Sequence, residues 1–187
     1  DSPGQTQMHR QKILQQLAAY RHRYPLETDT VDRFVAFVEQ QPRCFERDNW
    51  AGHVTGSAWL LNPARTHLLL THHRKLNIWI QLGGHSDGDP DTEAVAWREA
   101  REESGLPVHL LSSQILDIDI HEIPARKEDP AHFHFDVRYC FVAEHPDFVV
   151  SAESNELSWV AIDRLETHTN EISIMRMREK WLAGVAS

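Results

Sequence analysis

Apolar residues recur at helical spacing near both ends of the chain. Through its middle they alternate with polar residues or run together in short stretches. Over residues 6–20, Met8, Ile13, Leu14, Leu17 and Ala18 fall at helical spacing, and over 29–40 so do Val31, Phe34, Val35 and Val38. Pro25 lies in the connection between them. Ile174, Met177, Trp181 and Leu182 mark a closing helix over 172–186. In between, 53–61, 66–71, 78–82, 107–111 and 114–120 read as strands, separated by turns that include Asn62-Pro63 and the polar run 72–77. The longest alternation covers 132–141. Phe133, Phe135, Val137, Tyr139 and Phe141 share one face, and His132, His134, Asp136 and Arg138 share the other. A further strand is fed by the loop that opens at Ser151.

One stretch breaks this rhythm. Gly83 and Gly84 form a turn, and a helix then runs from near Asp89 to Gly105. Asp89 suits an N-cap, Pro90 the first helical position, and Gly105 a left-handed stop. Glu99, Glu102 and Glu103 stand at i, i+3 and i+4, so they lie on one helix face. Such a triplet is either a solvated, salt-bridged surface or a set of carboxylates held together by a divalent cation. Hard cations take oxygen ligands, commonly one or two carboxylates with water and substrate phosphate.

The stretch resembles the signature of the Nudix hydrolases, G-x5-E-x7-R-E-U-x-E-E-x-G-U, where U is apolar. Gly84 matches its first glycine, and the run from Arg98 to Leu106 matches its second half, with Ala100 at the first apolar place. Pro90 stands where the signature has an isolated glutamate. In the family that glutamate supports the signature arginine, so Asp87, Asp89, Asp91 and Glu93 become the candidate partners of Arg98.

The resemblance implies an α/β fold: a Nudix α/β/α sandwich with a mixed β-sheet, spanning 51–187, with an N-terminal helical extension over 1–50. It also implies a metal-dependent hydrolase that cleaves the phosphoanhydride of a nucleoside diphosphate linked to another moiety. The catalytic set would be Arg98, Glu99, Glu102 and Glu103. The three glutamates would hold Mg²⁺ or Mn²⁺ together with a backbone carbonyl at Gly83 or Gly84. An added acid in the loop before the late strand, Glu153 or Glu156, would join them. A Nudix-like module that binds a nucleotide without cleaving it is the competing reading. A third reading, an isomerase of isopentenyl diphosphate, shares the glutamate helix but wants a cysteine at the site, and neither Cys44 nor Cys140 is placed for it.

Other residues are candidates for substrate contact. His85 follows the glycine pair, Arg126 lies in a charged loop with two prolines, and His132, His134, Asp136 and Arg138 make an unusual solvent face for a half-buried strand. His132-x-His134 is also a zinc-type pair, but no third or fourth ligand is evident from spacing. Most of the 13 histidines are read as surface residues.

Composition narrows the partners. A net charge of -9 argues against a nucleic-acid polymer, whose binding rests on phosphate neutralisation by Lys and Arg. A small phosphorylated substrate, with a cation to neutralise it locally, fits better. No apolar run reaches the ~20 residues of a membrane span, and no signal-peptide pattern opens the chain. With only two cysteines, reduced thiols in a cytoplasmic protein are the expectation. The N-terminal helices are read as a packing or dimer-forming extension, which leaves a homodimer open.

Overall fold

The computed structural model describes residues 3–74, 76–150 and 156–184, with the backbone alone for 3–8. Ten consecutive buried residues form the central strand, β1 (Gly52–Leu61). Such a strand must be covered on both faces. It pairs in parallel with β7 (His132–Ala143) over its whole length, from Gly52 opposite Phe133 to Leu61 opposite Val142. All other pairings are antiparallel. β2 (His67–His73) and β4 (Leu82–His85) share the other edge of β1, β4 opposite 55–58 and β2 at Leu61. β5 (Val108–Leu110) and β6 (Asp117–Ile123) divide the far edge of β7 in the same way. β3 (Ile78–Ile80) and β8 (Leu157–Ala161) both pair with β2. The sheet is therefore mixed and splays at both ends.

Alternation along β1 and β7 sends apolar side chains to two cores. Val54, Ala58, Leu60, Phe135, Val137, Tyr139 and Phe141 meet α1 (Pro3–Arg23), α2 (Thr28–Gln40) and α3 (Thr92–Ser104) on one face. Trp59, Leu61 and Cys140 meet Ile174 and Met177 of α4 (Ile172–Leu182) on the other. The N-terminal helices bury Ile13, Leu17, Tyr20, Val31, Phe34 and Val38 in the same core as the sheet, and Phe37 stacks on Phe135 at 3.9 Å. Ala18, expected on the apolar side, is exposed, and Tyr20 takes the inward place. In α4 the inward residues are Ile174, Met177 and Lys180, and Leu182 is exposed. No described helix is long and apolar enough to cross a membrane.

Three local expectations are corrected. The α3 N-cap is Asp91, which accepts from the Ala94 N–H, because Asp89 spends its carboxylate on the Asp91 N–H at 2.9 Å. The helix therefore begins two residues later, after Pro90 rather than with it. β2 continues through His72 and His73, which pair with Trp79 and Ile78 instead of forming a turn. The polar face of β7 is not a solvent face: Asp136 and Arg138 are buried. Asp136 accepts from the hydroxyls of Thr55 and Ser57, and Arg138 spans Asp136 and Asp117. Both are therefore engaged inside the sheet's second layer, with α4 over them.

Candidate active site

The site starts from how closely α3 lies on β1. A Cβ at Gly56 would sit 2.8 Å from the Thr92 carbonyl and 3.0 Å from the Ala96 nitrogen, so only glycine lets the helix backbone rest there. Val95, Ala96, Ala100 and Ser104 face inward, and Gly105 closes the helix at φ 67° as expected. The next turn of α3 then falls over the glycine pair of β4. A Cβ at Gly84 would lie 2.5 Å from the Glu99 carboxyl carbon. Glu103 Oε1 accepts from the Gly83 N–H at 3.3 Å. Glu102 stays exposed on the same side of the helix.

Burial first, then the Glu102 charge, raises the Glu99 carboxyl above its ordinary range. Burial first, then the Glu99 charge, pushes Glu103 up to about 8. Two half-buried carboxylates side by side are unfavourable as a pair of anions, and either a proton or a cation relieves them. The oxygen-only donor set suits a hard divalent cation, and the missing Gly84 Cβ is what lets the Glu99 carboxylate lie against β4. The residues present therefore fit Mg²⁺ or Mn²⁺.

Arg98 braces this arrangement. Its guanidinium donates to the His85 carbonyl at 3.3 Å and stands 3.8 Å from Glu99 and 4.0 Å from Asp89. Among the four acids that could replace the residue missing at Pro90, Asp89 is the one in ion-pair reach. Asp87 pairs with Arg47, and Asp91 caps the helix and pairs with Lys12. The Arg98–Asp89 contact is long and partly exposed, so it contributes little energy.

Replacing Gly84 by alanine is expected to leave the fold in place and to displace the Glu99 carboxylate. A misplacement of about 1 Å costs on the order of 10²-fold in rate. Turnover measured beside the melting temperature checks this: a wild-type rate in Gly84→Ala would show that Glu99 has no fixed place.

The remaining candidates scatter. Glu156 is exposed just before β8, and its carbonyl accepts from the His72 N–H. Glu153 lies outside the described residues. Arg126 is exposed in the β6–β7 loop, where its backbone pairs with Asp129. His85, His132 and His134 come together, and His53 of β1 joins them with its ring 4.8 Å from that of His134. Burial pulls the His53 imidazole down to about 4 and also depresses His134 strongly, so both are neutral at neutral pH. Sequence reading missed His53. Its one signal was position, on the same face of β1 as Thr55 and Ser57, and that acquires meaning only once β1 pairs with β7. Burial pushes the Cys44 and Cys140 thiols up to about 12, so neither offers a thiolate near neutral pH.

Comparison with known proteins bears on the family and the fold. The NUDIX domain model matches residues 52–178. A NUDIX-family hydrolase from Clostridium perfringens superposes with a TM-score of 0.52 at 21% identity, over 70% of this chain and 97% of that one. The dihydroneopterin triphosphate pyrophosphohydrolase of E. coli gives 0.53 at 15% identity, over 70% and 95%. The MutT protein of Methanosarcina mazei Go1 gives 0.53 at 16% identity, over 74% and 99%. No curated protein matches the chain. These structural likenesses concern the fold, whereas the domain match runs from the first strand of the sheet into α4 and includes the glycine pair and every glutamate of α3. The chain belongs to the NUDIX hydrolase family.

Proposed function

We propose that this Nudix hydrolase cleaves the phosphoanhydride bond of a nucleoside diphosphate linked to another moiety, with Mg²⁺ or Mn²⁺ held by Glu99, Glu102 and Glu103. The observation that carries the proposal is the pair Glu99 and Glu103, folded against Gly84 and Gly83 with their carboxyls raised by burial and by each other. When bound, the cation neutralises charge on the diphosphate oxygens and makes water more acidic.

The chain's own residues do the rest. Glu99 and Glu103 fix the inner side of the site, against Gly84 and the Gly83 N–H. Arg98 holds Glu99 and the end of β4 in register. A water molecule attacks one phosphorus, the bond from that phosphorus to the bridging oxygen breaks, and the departing phosphate leaves on that oxygen. The proton from the water passes to a carboxylate of the same helix face, and Glu102, the exposed member, is the one with access to solvent and substrate. Glu156, beside β8, and Glu153 are further acids for this site.

The test is product release from a panel of nucleoside diphosphate derivatives with Mg²⁺ or Mn²⁺, with Glu102→Gln run beside the wild-type protein. Cleavage of a panel member and a drop of about 10²–10⁴-fold in Glu102→Gln are expected, the range that a positioned acid or base supplies. Absence of cleavage across the panel, with a nucleotide still raising the melting temperature, would replace the hydrolase reading by one of binding alone.

A further inference from the structure

Four histidines meet on one side of the sheet, and the hydrolytic scheme uses none of them. His53 lies on β1, His132 and His134 on β7, and His85 ends β4 opposite Thr55. The parallel register sets His53 directly across from His134. Ring centroids stand 4.7 Å apart for His53–His132, 4.8 Å for His53–His134, 5.0 Å for His53–His85 and 5.2 Å for His85–His134. One nitrogen from each of His53, His132 and His134 lies within 4.8 Å of the others.

This cluster is separate from the glutamates. Gly84 and His85 are neighbours in a strand, so their side-chain directions are opposite. The Gly84 side is filled by Glu99, and the His85 side carries the histidines. β4 thus stands between the two groups.

Ordinary packing does not account for these rings. His53 is 1% exposed; the Asn49 backbone approaches its ring, but neither of its nitrogens is in hydrogen-bond geometry with a partner, and nor is Nε2 of His134. A buried polar atom without a partner is costly, and well-packed apolar residues would avoid that cost. His132 is oriented from outside: its Nδ1 lies 2.9 Å from the Pro130 carbonyl, which can only accept, so Nδ1 carries the hydrogen and Nε2 the lone pair. A hydrogen bond of this kind from the far nitrogen is what fixes a metal-binding imidazole. The neighbouring His121 stands outside the nitrogen triangle: its ring is 5.4 Å from that of His134, but its Nδ1 is engaged by Asp119 at 2.9 Å.

We propose that His53, His132 and His134 form a site for a divalent transition-metal ion of the zinc type, with His85 closing its fourth side. Imidazole nitrogens select zinc, cobalt or nickel over magnesium, which prefers the oxygens across β4. Around zinc, with Zn–N near 2.0–2.1 Å, tetrahedral nitrogens stand about 3.3 Å apart, so the rings need to close by at most about 1.5 Å. Three strands contribute, and one of them carries the glycine pair. The ion therefore ties β4 to the centre of the sheet.

The test uses the full chain, stripped of metal by a chelator and titrated with Co²⁺ and then Zn²⁺. One equivalent of Co²⁺ with the visible absorption of a nitrogen-rich, low-coordinate site is expected. Zn²⁺ should displace it and millimolar Mg²⁺ should not. Glu103→Gln should leave that absorption band unchanged, because any Co²⁺ on the glutamates is oxygen-bound and does not give it. His53→Gln and His134→Gln should each weaken binding by more than about 100-fold, a loss that removing only a ligand's hydrogen-bonding partner can already reach. Absence of the band in the wild type, or its survival in the His53→Gln, His134→Gln double variant, overturns the site. If those variants do not fold, X-ray absorption on the zinc-loaded wild type decides: three or more imidazole ligands support the site, and fewer overturn it.

Discussion

Replacing Glu103 by glutamine will cost this enzyme its turnover and make its metal-free form more stable. Both effects come from one carboxyl. Glu103 is held against the Gly83 N–H and beside Glu99, where burial and that neighbour push it up to about 8 from its ordinary 4.5. In the metal-free protein the folded state therefore binds this proton more tightly than the unfolded chain does. The resulting stability is complete below about pH 4.5 and is lost as pH rises through about 8. Thermal melts in chelator at pH 5, 7 and 9 should show a falling wild-type melting temperature.

Glutamine has no proton to lose, so Glu103→Gln should flatten that slope. At pH 9 it should melt higher than the wild type by at least about 2–4 °C, the equivalent of about 1 kcal/mol in a chain of this size. Its rate with Mg²⁺ should fall by about 10²–10⁴-fold, because the proposed function makes Glu103 a ligand of the catalytic cation. A variant that loses activity and stability together would mean that Glu103 is a packing residue. Strain kept at a site and relieved by an inactivating change is the usual form of the trade between stability and activity.

The second large effect lies on the opposite face. Asp117 is fully buried and accepts from three cations: Arg138 at 3.1 Å, Arg176 through two bonds of 2.8 Å, and Lys180 at 2.6 Å. The side chains of Arg138 and Lys180 are 2% and 8% exposed, so water cannot take over if the carboxylate is removed. Breaking a buried pair by deleting one partner costs about 3–5 kcal/mol, because the other charge is stranded. Asp117→Ala should therefore lower the melting temperature by roughly 6–20 °C, and the denaturant midpoint should move with it. Glu122→Ala, an exposed acid on the same strand, should stay within about 0.5 kcal/mol of the wild type. A small effect at Asp117 would show that Asp119 and Asp136, with Glu27 on Lys180, can hold the cations alone.

That network also explains why β7 was only half legible. Alternation of Phe133, Phe135, Val137, Tyr139 and Phe141 with His132, His134, Asp136 and Arg138 defines two faces from the sequence alone. It does not say what covers the second face. α4 does, bringing Arg176 and Lys180 from about 60 residues away in sequence onto Asp117. A polar face read as open to substrate is instead an internal ion network at one end and a histidine cluster at the other.

What the sequence determined by itself is local. The i, i+3, i+4 spacing of Glu99, Glu102 and Glu103, the stop at Gly105 and the glycine pair before the helix depend on a few consecutive residues, whose geometry is set by helix period and by the freedom of glycine. Sequence reading starts α3 two residues too early, at Asp89, because Asp89 and Asp91 are both capable caps and only the turn decides between them. Tertiary structure decided everything that required two distant strands to meet. Arg98 finds Asp89 because the turn folds back, and His53 finds His134 because β1 and β7 lie in parallel register across 81 positions of sequence. Such pairings are chosen by burial of the whole sheet, a sum over many contacts that no short window of residues contains.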